Sequence, residues 1–543
     1  MAIPLSKEER GAGGLQFIYV NSTSKGAQKG NLAKQRAADA DATSKPDVAH
    51  VVVDAERHNE LCPPVTLNAV LGVSNWTQTP SDCPGCPECP HPKSHRKQRF
   101  DIQPLAEHMQ AKIEMALDAL PPGTQQWSLG NMSAKVRHHL LHTIFPVLAG
   151  EGAAEEWFEG YCGSELIFHV GHVGAAFHRD LLAGRCSVAR WSTKKQILQH
   201  KAAALKILQQ QVNSLLQLST SEVDRLIFAA MTLARHEISV NNLDVDLAHL
   251  YSPHFPTANW AGLYGRVISV KSHLDGVAAL VEYQGGLKNV QVSALAATIA
   301  RVDLVEVGTS HTHPYYRRLW NADVSELYQY APDASFLSRG RGFRLLSDHI
   351  PDFATDVFQD LAILDAIMCH TRLQQLSNDV LQHILTVRNC VAHRLLSLPS
   401  WDEMDESTQQ QTDSRVYEIC RLSCVIYSNA VLFSMFPHSG WQDRLTWRLR
   451  WLHSLDVPPT AASEAMDGLV LWSLCIGAVA SFEGQNSSFF QLTVRQFLSE
   501  RYDPPENYAK EVKDRLEEFL WSENACDIGR RTMRKEIWGP EAG

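Results

Sequence analysis

Long apolar runs, strand-like alternation and nucleophile motifs are what this 543-residue sequence has little of. Its longest apolar run, residues 469–480, reads LVLWSLCIGAVA. That falls short of the roughly 20 residues a membrane-spanning helix needs. Residues 1–10 have no apolar centre, so no secretory signal is expected. The sequence contains no Gly-x-Ser-x-Gly elbow and no phosphate loop, two of the commonest signatures of hydrolases. Basic charge is also short: 50 Lys and Arg against 60 Asp and Glu leave a formal net charge of −10. A compact DNA-binding domain pushes that balance the other way, so any basic contact surface has to be local. The expectation is a soluble, intracellular chain without a membrane partner and without catalysis.

Cysteine is sparse and scattered, 12 residues in all, with one tight group at Cys83, Cys86 and Cys89. Cys162, Cys186, Cys369 and Cys475 lie in or beside apolar runs. They read as small buried hydrophobes in a reducing compartment. The group itself, CPGCPECPH over residues 83–91, would supply four zinc ligands together with Cys62 or His91. Three prolines stiffen the run and no paired second half follows, which favours a thiol-bearing linker over a zinc site. Zinc is the one cofactor the spacing suggests, and no other is expected.

The chain divides by texture. Residues 1–58 read as an arm with one strand-like element, LQFIYVN at 15–21. Residues 59–99 are rich in Pro, Cys, Ser and His and read as a largely disordered linker. The linker ends in a basic run carrying Lys93, Arg96, Lys97 and Arg99, a nuclear localisation signal or phosphate patch against the plainer reading of a solvated charge cluster. From residue 100 to 543 helical periodicity takes over. Ile197, Ala204, Leu205, Leu208, Val212, Leu215 and Leu216 form one apolar stripe over residues 193–218. Ser219 followed by Glu222 reads as a capping box opening the next helix. Gly285 and Gly286 close another that begins near residue 273. Further helical stretches are expected at 101–120, 132–149, 164–183, 290–308, 353–397, 414–435, 464–482, 486–500 and 506–522. The fold class that follows is all-α, a multi-helix array of packed hairpins behind a largely disordered N-terminal arm.

Histidines invite catalytic or metal readings. His138, His139 and His142 share helical spacing, His169, His172 and His178 lie close in sequence, and His311 and His313 precede Pro314. None has a matched carboxylate motif, and His236-Glu237 lacks the second histidine of a zinc-protease helix because position 240 is Val. Ser338 to Phe343, SRGRGF, reads as a turn between helices. Trp441, Trp447 and Trp451 read as aromatic core or helix-packing residues.

Several blocks carry a family resemblance. LVLWSLCIGAVA at 469–480, FLWSENACD at 519–527, Gly529 and the late Trp538 resemble the C-terminal block of the fungal-specific transcription factor domain. Residues 273–287, HLDGVAALVEYQGGL, resemble its central helix followed by Gly-Gly-Leu, and residues 300–304 before Pro314 and Tyr315 are similar as well. QFIYVN at 16–21 resembles the short opening segment of many members. The resemblance spans roughly residues 130–540 and implies a helical regulatory domain acting in the nucleus. In that family it usually follows a binuclear zinc-cysteine DNA-binding module with a Cys-x2-Cys-x6-Cys half. Cys83 and Cys86 match the first pair, Cys89 comes too soon, and no second half follows, so that module is not expected here. The function expected is transcriptional control by binding other regulators, a second copy or a small effector, with DNA touched weakly or through a partner. The alternative is a cytoplasmic interaction protein of the same fold that does not bind DNA.

Overall fold

The structure is a computed structural model that describes residues 163–182, 195–236, 238–239, 251–255, 267–310, 312–331, 334–372, 374, 376–411, 413–435, 440–455, 463–482, 484–501, 508–526 and 529. In chain order its α-helices are α1 (Glu165–Leu182), α2 (Lys195–Asn213), α3 (Thr220–Arg235), α4 (Lys271–Tyr283), α5 (Ser293–Ser310), α6 (Arg341–Arg344), α7 (Asp352–Thr371), α8 (Asn378–Leu396), α9 (Glu406–Gln411), α10 (Ser414–Tyr427), α11 (Trp441–Ser454), α12 (Glu464–Ala480), α13 (Ser487–Arg501) and α14 (Tyr508–Glu517). The extended structure among the described residues is one two-residue antiparallel pair, Ile238–Ser239 with Val267–Ile268. Apart from that short pair, the described residues form an all-helical array.

Local chemistry sets the helix ends. Ser219 accepts from the Glu222 amide while Glu222 Oε2 accepts from the Ser219 amide at 2.8 Å, completing the capping box of α3. Ser377, Asp413 and Ser463 cap α8, α10 and α12 in the same one-sided way. Gly285 and Gly286, at φ +88° and +109°, stop α4, and the Gly286 amide returns to the Val281 carbonyl at 2.9 Å.

Two packing groups result. α1 packs on α2 and α3, and α3 packs on α4. The main core runs from Tyr251 and Leu304 to Cys526 and centres on α7, α8, α10, α12 and the segment after α14. There Trp472 of α12 stacks on Phe519, ring centroids 5.4 Å apart, and its indole N–H donates to the Leu520 carbonyl at 2.8 Å. Phe343 packs edge-on against both rings.

Four expectations are corrected. The stretch 353–397 is two helices, because α7 ends at Thr371 and Ser377 opens α8. Leu216 belongs to the apolar stripe in sequence but is 89% exposed. The chain tightens to a 3-10 turn at Leu215–Gln217, which breaks the helical phase of that stripe. Trp441 is buried, but Trp447 and Trp451 stand on the outer face of α11 at 61% and 53% exposure. SRGRGF is more than a turn: Gly340 is left-handed at φ +74°, α6 follows, and Phe343 enters the core.

Candidate functional site

Of the residues singled out in the sequence, Cys62, Cys83, Cys86 and Cys89 lie outside the described residues, as do His91, Lys93, Arg96, Lys97 and Arg99. The same holds for His138, His139, His142, Glu237 and His311. Among the described residues no group of three or more His, Cys, Asp or Glu side chains is placed to hold a metal ion.

The histidines that are described take structural positions. His169 and His172 of α1 meet His200 of α2, a partner the sequence did not suggest. His172 and His200 stack with centroids 4.2 Å apart, and the Nδ1 atoms of His169 and His200 are 2.8 Å apart. Burial lowers the proton affinity of all three, and His200 is pushed down to about 4 by burial and by its two neighbours. His236 is pushed down to about 4 by burial and bonds the Thr232 carbonyl at 2.6 Å. His313 is exposed and is raised by its hydrogen bond to Glu403, 2.9 Å away.

A second cluster is wholly buried. Asp365 Oδ1 of α7 accepts from His254 Nε2 at 2.6 Å and from the Tyr427 hydroxyl at 2.8 Å. The three tie the segment 251–255 to α7 and α10. Burial drives the Tyr427 hydroxyl and the Cys526 thiol well upward, so both keep their protons. A protonated thiol is a poor nucleophile, and the cluster acts as a clamp between elements.

The third cluster has the least explained electrostatics. Ile384, Arg388, Val391 and Leu395 lie on one face of α8, and all four are buried. Arg388 is 0% exposed. Its guanidinium donates to Asn389 Oδ1 at 3.0 and 3.3 Å and to the Leu432 carbonyl at 3.2 Å, and it sits 4.5 Å over the Phe433 ring. All these partners are neutral. Leu432 ends a π-helical turn, Ser428–Leu432, that continues α10. Such turns recur at functional sites because they re-aim side chains out of helical phase. Asn429 within the turn donates to the Gly308 carbonyl at 2.8 Å and fixes the turn against α5. α5 carries Arg301, partly buried, whose guanidinium donates to the Thr298 hydroxyl at 3.2 Å. Burial and then Arg301 push Arg388 down to about 9, and burial and then Arg235 push Arg301 down to about 10. Both remain cations at neutral pH. Just past the turn, Ser434 takes a left-handed backbone at φ +53°, and its buried hydroxyl has no hydrogen-bond partner.

The sequence did carry a signal for this cluster: an arginine at a core position of an otherwise apolar stripe. It carried none for the π-helical turn or for Ser434. A comparison of the chain with protein-family models, curated proteins and solved structures found no match.

Proposed function

We propose that this chain is a helical regulatory protein of transcription that works in the nucleus by binding, not by bond chemistry. The observation that carries the reading is the meeting of two sequence blocks in the core. The segments 469–480 and 519–527, on which the resemblance to the fungal-specific transcription factor domain chiefly rests, pack on each other through Trp472, Phe519 and Leu520. Residues that contact each other across some fifty positions of sequence form one structural unit, as a regulatory domain requires.

Burial raises the thiols of Cys420, Cys424, Cys475 and Cys526, which leaves these four unreactive. No helix among the described residues is long and apolar enough to cross a membrane. Regulation on this fold is a population shift: a ligand or partner favours one arrangement of the helices over another.

The test uses the full-length chain. Fused to an unrelated DNA-binding domain, it changes the output of a matching reporter several-fold. Fluorescently tagged, it collects in the nucleus, and the combined Lys93→Ala, Arg96→Ala, Lys97→Ala and Arg99→Ala variant does not. An unchanged reporter together with a uniform cytoplasmic signal from both tagged forms would replace this reading with that of a cytoplasmic interaction protein.

A further inference from the structure

Among the described residues three arginines are buried, and two of them meet carboxylates. Arg421 meets Glu418 at 2.8 Å, and Arg235 meets Glu306 at 2.9 Å. Arg388 is the most deeply buried of the three and has no acidic partner among the described residues. A buried charge is costly unless it is both paired and hydrogen-bonded. What surrounds Arg388 is weaker: an amide oxygen, one carbonyl at the end of a π-helical turn and a ring face. These offer fractional charges against a full one. Arg301, the neighbouring cation, adds to the deficit.

Further features lie in the segment that Arg388 holds through the Leu432 carbonyl and the Phe433 ring. A guanidinium has five N–H donors, and Arg388 directs three hydrogen bonds to protein acceptors. The Ser434 hydroxyl, 2% exposed, has no partner, although buried hydroxyls are ordinarily satisfied. Ser434 is also the one described non-glycine residue with positive φ. Backbone held in that region costs free energy and gathers at ligand-binding and switch segments. A deep guanidinium with spare donors, a free hydroxyl donor and a second guanidinium nearer the surface make up the donor set that recognises an oxyanion.

We infer that Arg388, Arg301 and Ser434 bind a small acidic molecule, one that presents a carboxylate or phosphate group to the guanidinium pair. The acid group takes a forked contact from Arg388 and a hydrogen bond from Ser434. Arg301, partly exposed, marks the side from which it enters. Binding neutralises the pair and fixes the π-helical turn between α5 and α8, so the ligand biases how these helices sit. This deepens the regulatory reading by naming the effector's chemistry.

The experiment is a thermal-unfolding titration of the full-length protein with inorganic phosphate and, separately, with succinate, each against sodium chloride at matched ionic strength. The expected result is a saturable rise in midpoint with one of the two anions beyond the chloride control. Phosphate alone identifies a phosphate-bearing effector, and succinate alone a carboxylate. Arg388→Met and Arg301→Gln weaken the apparent affinity at least tenfold. Arg501→Gln, which removes an exposed ion pair with Asp467, leaves it unchanged. Should Arg388→Met fail to fold, Arg301→Gln and Ser434→Ala carry the comparison. No saturable response to either anion, or equal responses in wild type and Arg301→Gln, overturns the site. Neither result touches the reporter test, so the two readings fail separately.

Discussion

Replacing Arg388 with methionine should stabilise the unliganded protein, although it removes a buried side chain with three hydrogen bonds. Burial lowers this arginine from the ordinary guanidinium range, several pH units higher, to about 9. At about 1.4 kcal/mol for each such step, holding the cation inside at pH 7 costs on the order of 5 kcal/mol. Methionine is unbranched and of similar length, so it fills the space and keeps contact with Phe433. The loss is two acceptors without donors, Asn389 Oδ1 and the Leu432 carbonyl, at roughly 1–2 kcal/mol each. The net gain is about 1–3 kcal/mol, a rise of a few degrees in midpoint. The assay is thermal unfolding of both proteins at pH 7 in a chloride buffer. A pH series sharpens it. The folded-state value lies below the unfolded one, so the penalty is complete below about 9 and shrinks as pH rises above it. The difference between variant and wild type should therefore narrow by roughly 1.4 kcal/mol per pH unit above that point. A variant that instead loses 3–5 kcal/mol would mean the cation is already compensated, as when one partner of a buried pair is removed. That result would refute the reasoning.

Acid should loosen the first helical group. His169, His172, His200 and His236 have folded-state values below 6.5, so the unfolded chain takes up protons first. Their contribution is complete above 6.5 and is lost as pH falls toward about 4, opposed in part by Glu165 beside His169. A circular-dichroism pH series should show His200→Gln less acid-sensitive than wild type, and coincident curves would contradict this. At Gly342 a methyl group would stand 2.6 Å from Phe519 Cε2, so Gly342→Ala should lower stability by about 1–3 kcal/mol in thermal unfolding. Trp447 is 61% exposed, so Trp447→Ser should stay within about 0.5 kcal/mol of wild type by the same measurement.

Much of the fold was legible because helix ends are local chemistry. Ser219 with Glu222, and the glycine pair at 285–286, mark their boundaries by residue type alone. The break between α7 and α8 was not legible. The residues there, RLQQLS at 372–377, include neither proline nor glycine, and the local mark is the single serine, Ser377, that caps α8. Trp447 and Trp451 misled because size suggests burial, while their position on α11 decides it. Within the candidate site, Arg388 was readable as a charge on an apolar stripe. Its missing counter-charge was not readable, since that depends on which carboxylates the fold brings near. The π-helical turn and the left-handed Ser434 have no diagnostic residue type; what the structure shows there is the long-range Asn429 bond to the Gly308 carbonyl of α5.

Whether the guanidinium pair holds an acid group decides the chemistry of the effector. Crystals of the full-length protein soaked in selenate, with data at the selenium edge, test this directly. An anomalous peak is expected between Arg388, Arg301 and Ser434, its oxygens about 3 Å from the guanidinium nitrogens. Peaks on surface arginines with none at Arg388 would contradict it.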